Sequence, residues 1–255
     1  MKVKILGISG SPRKGNTDIL VNECLKGAAE IKDVETEFLA LSDYRLDGGC
    51  TACMACFRKP DPELLCYHYG NKDDGNKILR KVLAADGYIW GSPVYLLGMT
   101  SQFKMFIDRC EPIQALGGLR NRVVGAVTCA TARNGGQEYV IHELLKSAMM
   151  MKMIPVGIPV WPAEGIGSPL GVAGRQGWPR HVRTISKESL TAVRQDVIAM
   201  GVAKFLGKRV AEMTKVIKAG FTICNPENGE TEWPYGPIPA DYLTKVGDLH
   251  HGYKR

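Results

Sequence analysis

A chain of 255 residues with 45% hydrophobic and 23% charged side chains suits one large domain, or a medium domain with an appendage, and excludes general disorder. Lys and Arg number 33 against 26 Asp and Glu. The resulting charge of +7 is spread without a dense run, which fits mild attraction to anionic cofactors or acidic proteins and excludes a nucleic-acid footprint. No stretch reaches the roughly 18–20 apolar residues of a membrane span, and MKVKILGISGS lacks the apolar core and cleavage site of a signal peptide. A cytoplasmic protein without membrane contact is expected. In a reducing compartment its eight cysteines need an account other than disulfides.

Residues 2–8 form the first predicted strand, and a helix over about 17–31 leads to a weaker strand at 34–40. Further strands are expected at 87–90, 123–129 and 153–160, with helical periodicity at 76–85, 99–110, 137–150 and 187–219. Strands alternating with helices imply right-handed parallel crossovers and a doubly wound α/β fold. Five strands fit the flavodoxin-like order 2-1-3-4-5. Residues 161–184, rich in Gly, Pro and Arg, read as a loop or lid inserted in this domain of residues 1–219. Residues 220–255 carry Trp233, Tyr235, Tyr242 and Tyr253 among prolines. They are too aromatic for a disordered tail and read as an extension packing on the domain or a neighbouring subunit.

After the first strand come Ser9, Gly10, Ser11, Pro12, Arg13, Lys14, Gly15, Asn16 and Thr17, then a helix. Hydroxyls at Ser9, Ser11 and Thr17, the Asn16 amide and the Arg13 cation join backbone N–H groups at the helix start to receive an anion. The loop is neither G-x-G-x-x-G nor a Walker A loop. The competing reading is a simple helix cap by Thr17 or Asn16.

Two more loops follow strands at the carboxyl edge of the sheet, where such folds bind ligands. In the segment 91–99, Pro93 stiffens the chain and Tyr95 offers a flat aromatic face. In the segment 131–138, Gly135 and Gly136 let backbone approach a planar ligand. Each loop alone is weak, because Gly and Pro punctuate any such connection. The segments GSPRKGNT, GSPVYLLGMTSQFKMFIDR and GGQE resemble the flavodoxin-like NAD(P)H-dependent FMN reductase superfamily over residues 2–219, including LGKRVAEM in the last helix. The resemblance implies non-covalent FMN. It assigns the phosphate to Ser9, Ser11, Arg13, Gly15, Asn16 and Thr17. It assigns the isoalloxazine ring to Pro93, Val94, Tyr95, Leu96 and Gly98, with Thr131, Gly135 and Gly136 closing over it.

Within residues 48–70, Cys50, Cys53 and Cys56 are spaced by three and Cys66 follows after nine residues. Such a loop can wrap three corners of a cubane and receive the fourth ligand nearby. Zinc, a dithiol pair of Cys53 and Cys56, and chance clustering are the alternatives. Cys24, Cys110, Cys129 and Cys224 read as buried small hydrophobes. The compact motif joined to the FMN loops is similar to the iron-sulfur flavoprotein family, and Cys50, Cys53, Cys56 and Cys66 are the matching positions. The family's last gap is usually shorter, but added loop length costs little.

The resemblance implies an FMN-dependent oxidoreductase with a [4Fe-4S] cluster. It would pass electrons between an NAD(P)H or ferredoxin donor and a small-molecule or protein acceptor, in a homodimer or homotetramer that brings cluster and flavin together. An NAD(P)H-dependent quinone, nitro or FMN reductase without the cluster is the alternative enzyme, and a redox-sensing interaction protein is the alternative of another class. No residue stands out as a catalytic acid. His142, on a predicted helix, reads as structural, and His68, beside Cys66, either tunes a cluster or faces solvent. Tyr95 and Arg133 are better candidates for contact with flavin or substrate.

Overall fold

The computed structural model describes residues 1–61, 63–132, 134–158, 170–175 and 186–224. The tail beyond residue 224, Arg133 and most of the segment 161–184 lie outside the described residues. Strand β1 (Val3–Ser9) leads to helix α1 (Asn16–Ala29), strand β2 (Val34–Ala40) and a 3-10 turn, Leu41–Asp43. Helices α2 (Ala55–Arg58) and α3 (Gly75–Leu83) precede strand β3 (Gly87–Pro93). Then follow α4 (Ser101–Asp108), α5 (Glu111–Ala115), strand β4 (Val123–Ala130) and α6 (Gln137–Met150). Strands β5 (Ile154–Pro155) and β6 (Val172–Arg175), α7 (Lys187–Thr191), a 3-10 turn (Ala192–Gln195) and α8 (Val197–Ile223) complete the described chain.

The parallel sheet runs β2-β1-β3-β4-β5, the predicted order. Alternation along each strand divides the core. Leu6, Ile8, Tyr88 and Trp90 face α3, α4 and α6, where Trp90, Phe103 and Phe106 meet edge to face. Ile5, Ile89, Val123 and Val127 face α1 and α8. Both faces are covered, so β3 and β4 are buried along their whole length. Helices α1 and α8 cross closely: a Cβ on Gly207 would lie 1.7 Å from Cys24 O, and one on Gly27 2.0 Å from Lys204 O.

Three expectations are corrected. Among the described residues the strand expected at 153–160 is limited to Ile154–Pro155, and Val172–Arg175, inside the segment read as a loop, also pairs with β4. The apolar Val172 and Ala173 gain a ladder there, while the Gly and Pro around them obscured the strand signal. The helix expected at 187–219 is interrupted, because Asp196 starts α8 by accepting the Ala199 N–H at 3.0 Å, and α8 then runs on to Ile223. Helix α4 ends at Asp108, and Pro112 opens a separate α5.

Candidate functional site

Loops leaving β1, β3 and β4 are tied together at the carboxyl edge of the sheet. The Gly10 N–H donates to Gly91 O at 2.7 Å, and Thr100 Oγ1 donates to Gly10 O at 2.7 Å. The Thr100 N–H donates to Ser92 Oγ at 3.0 Å, and Thr128 Oγ1 donates to Ser92 O at 2.7 Å. Thr100 also caps α4 by accepting the Phe103 N–H at 3.2 Å. These buried bonds fix the mouth of the crevice to the rigid sheet.

In the first loop most side-chain donors shape the loop itself. Ser9 Oγ donates to Asp18 Oδ1 at 2.5 Å, and Ser11 Oγ donates to Arg13 O at 2.6 Å. Asn16 Nδ2 donates to Ser189 O at 2.7 Å while its Oδ1 accepts the Val193 N–H at 2.9 Å. Asn16 therefore seats α7 against α1 with its carbonyl oxygen and one of its two amide N–H groups. Gly15 stands at the N-cap of α1, and no side chain caps that helix. The backbone N–H groups of the first turn, with half-exposed Arg13 and buried Thr17 beside them, are what the loop offers an anion. Burial pushes the Asp18 carboxyl above its ordinary range, opposed by the bond from Ser9 and the Gly15 N–H.

In the second loop Tyr95 and Gly98 exchange two N–H to O bonds of 2.9 Å, with Leu96 at φ 48° and Leu97 at φ 65° between them. Left-handed leucines are strained. Tyr95, Leu96 and Leu97 are exposed, Val94 is half-buried and Pro93 is buried at the end of β3. In the third loop Gly136 has φ 95°, and a Cβ there would lie 2.7 Å from Leu97 Cδ2. The positive φ favours glycine there. The Gly135 N–H, expected to close on the ring, donates to Gln137 Oε1 at 2.7 Å, while Gln137 Nε2 donates to Ala132 O at 2.7 Å. Thr131 is half-buried at the rim. An uncapped helix start and an apolar turn at one crevice suit the phosphate and ring of FMN respectively.

Cys50, Cys53, Cys56 and Cys66 border one cavity of about 200 Å³, together with Met54, Phe57, His68 and Arg109. Ala52 and Met54 adopt φ of 52° and 57°, which turns the chain sharply between successive cysteines. The Ala52 N–H reaches Cys50 Sγ at 3.4 Å. Burial pushes the Cys56 thiol up to about 11, reinforced by Cys50 and Cys53 nearby. Among the described residues no three Cys, His, Asp or Glu side chains form a group able to hold a metal ion. All four cysteines nevertheless line the one cavity. A cubane takes one thiolate at each of four iron corners, so its ligands stand further apart than those of one ion, and the donor set fits such a group.

The platform beneath this cavity carried no role in the sequence reading. Arg109 is 2% exposed, and its Nη1 and Nη2 donate to Asp73 at 2.7 and 3.1 Å. Burial pushes the Asp73 carboxyl up, but Arg109 and the N–H groups of Gly75 and Asp47 outweigh it and hold the group below its ordinary range. Asn76 accepts the Cys66 N–H at 2.8 Å and donates to Gly70 O at 2.9 Å. Tyr69 Oη donates to Gly49 O at 3.0 Å. The segment DDGN before a helix was the available signal, since carboxylates and amides there satisfy loop backbone. Cys24, Cys110 and Cys129 are buried as expected, but Cys224, just after α8, is exposed. His142 is exposed on α6, not structural packing.

The family model for NADPH-dependent FMN reductase matches residues 3–166. An iron-sulfur flavoprotein of Methanocaldococcus jannaschii is 38% identical over 217 residues, covering 85% of this chain and 100% of that one. One of Archaeoglobus fulgidus is 34% identical over 221 residues, covering 85% and 98%. The solved structure of RosB with bound 8-demethyl-8-formylriboflavin-5'-phosphate covers 99% of this chain and 88% of its own, with a TM-score of 0.60 and 14% identity, a likeness of fold alone. No described helix is long and apolar enough to cross a membrane. The chain thus belongs to the NADPH-dependent FMN reductase family of flavin-dependent oxidoreductases, among the iron-sulfur flavoproteins.

Proposed function

We propose that this oxidoreductase binds FMN in the strand-end crevice and a [4Fe-4S] cluster on Cys50, Cys53, Cys56 and Cys66, and passes electrons between an NAD(P)H or ferredoxin donor and a small-molecule or protein acceptor. The observation that carries the reading is the single cavity bordered by all four cysteines. Their sequence spacing, three cysteines clustered and one apart, favours a polynuclear cluster over zinc, whose sites usually pair two Cys-x2-4-Cys knuckles. When bound, FMN supplies a two-electron hydride acceptor that also exchanges single electrons, and the cluster supplies a one-electron carrier.

The chain's own residues bind and orient. The first-turn N–H groups of α1, with Arg13 and Thr17, hold the phosphate, and Ser9 and Ser11 keep the loop in shape. Pro93, Val94, Tyr95, Leu96 and Gly98 flank the ring, and Thr131, Gly135 and Gly136 form its far wall. Helix α4 joins the two sites. Thr100 at its start is bonded to Gly10, and Asp108 and Arg109 at its end border the cysteine cavity. Its eight residues span about 12 Å. We propose a homodimer or homotetramer, supported by the exposed Tyr95, Leu96, Leu97 and Tyr139 near the crevice.

Iron, acid-labile sulfide and flavin analysis of anaerobically purified protein tests the reading. About four irons and one FMN per chain are expected. Cys53→Ala should lose the iron and keep the flavin. Iron-free protein that still reduces quinones with NAD(P)H would remove the cluster and leave a simple flavin reductase.

A further inference from the structure

The guanidinium under the cysteine cavity has a donor left over. Arg109 Nη1 and Nη2 hold Asp73, Nη1 also donates to Gly48 O at 3.1 Å, and the Tyr69 ring lies 3.8 Å from Cζ. Arg109 Nε is buried and has no acceptor among the described residues. Leaving such an N–H unpaired is unfavourable unless something in the cavity accepts from it. Asp73 is saturated by contrast. Besides the two guanidinium bonds it accepts the Gly75 N–H at 2.9 Å and the Asp47 N–H at 3.1 Å. Part of its negative charge is therefore already spread over backbone donors. Arg109 lines the cavity beside Cys66, with Asp108 and Glu111 also at its border.

We propose that Arg109 is a potential-setting residue of the cysteine cavity: its Nε–H donates to a sulfur of the bound cluster, and its charge favours the more reduced state. The proposal rests on reading Cys50, Cys53, Cys56 and Cys66 as cluster ligands. Hydrogen bonds to sulfur and local charge are the protein's means of setting a cluster's potential. The residue type matters. A lysine can face Asp73 as a point charge, but it has no counterpart of Nε.

The test is an anaerobic redox titration of the iron-loaded holoprotein, followed by electron paramagnetic resonance, with iron and flavin content measured in parallel. Arg109→Lys should keep iron and FMN and shift the reduction equilibrium about tenfold toward the oxidised state, about 59 mV for one electron. Asp73→Asn should shift it the opposite way, since it removes the partly offsetting negative charge. The double variant Arg109→Gln with Asp73→Asn strands no buried carboxylate, so it remains informative if Arg109→Lys fails to fold. It should shift toward the oxidised state. A purely structural bolt would lower iron content and leave the potential of the remaining clusters unchanged. Iron-loaded variants at the wild-type potential, or single variants shifting in the same direction, would overturn the proposal while sparing the cluster assignment. A wild type that takes up no iron would overturn both.

Discussion

Asp18 puts a buried carboxylate at the third position of α1, where the sequence offers the loop as an anion site. The helix dipole and the Ser9 hydroxyl favour its charge, and burial opposes it. Burial is the largest influence, so the folded-state pKa is raised above the ordinary 3.8. The stability contributed by neutral Asp18 is complete below 3.8 and is lost as pH rises through the raised value. Asp18→Asn keeps an oxygen for Ser9 and removes that loss. It should stabilise the protein by about 1 kcal/mol at neutral pH, and the gain should vanish on acidification, as measured by urea unfolding at a series of pH values. The same change removes a negative charge beside the proposed phosphate site, so flavin titration of the apoprotein should show several-fold tighter FMN. Unaltered affinity would move the phosphate away from α1. The residues of the loop were legible as donors, but their partners were not. Asn16 finds Ser189 and Val193 across the whole chain, and Arg109 finds Asp73 in the loop before α3. Spacing in sequence reports such pairings only when they are local, as for Cys50, Cys53 and Cys56.

At the level of elements, the fifth position of the sheet is shared by two short strands. Ile154 and Pro155 pair with Val123 and Val124, and Val172 pairs with Val127. Only Gly125 and Ala126 lie between these partners on β4. Val156 donates its N–H to Val124 O at 2.9 Å, and a Cβ on Gly171 would lie 2.5 Å from Ala126 O. Val156 and Gly171 thus fill the two places opposite Gly125 and Ala126, so that β5 and β6 share one strand line. A single continuous strand at 153–160 was the natural reading of an apolar run, and the interruption was hidden because Val172 and Ala173 alone are too short to signal a strand. Joining Val156 directly to Gly171 should preserve the sheet. Loop-closure entropy changes by only about 0.6 kcal/mol per doubling of length, so thermal unfolding should move by a few degrees at most, with flavin content intact. Loss of the folded state would show that residues 157–170 complete the core. Retained flavin with lost turnover would assign them to the substrate.

For the molecule as a whole, the doubly wound order was legible because each strand–helix alternation repeats the same hydrophobic logic, and ligand loops at the carboxyl edge follow from that topology. The electron donor is not written in any motif, but the charge distinguishes two kinds of donor. A net +7 attracts an acidic electron-carrier protein over its whole surface. A nicotinamide dinucleotide instead meets one crevice and feels mainly the few charges lining it. Raising ionic strength from 0.01 to 0.15 M shortens the screening length from about 30 to about 8 Å, which removes long-range steering while leaving contact interactions largely in place. If a ferredoxin-like protein is the donor, its second-order rate of flavin reduction should fall by about tenfold or more across that range, since steering is worth roughly 10–1,000-fold. Stopped-flow reduction with an acidic ferredoxin and with NADPH, each over the same salt series, separates the cases. A steep loss confined to the ferredoxin series would identify a protein donor, whereas rapid, nearly salt-independent reduction by NADPH beside a slow ferredoxin reaction would make the dinucleotide the donor and leave the positive surface without a part in electron delivery.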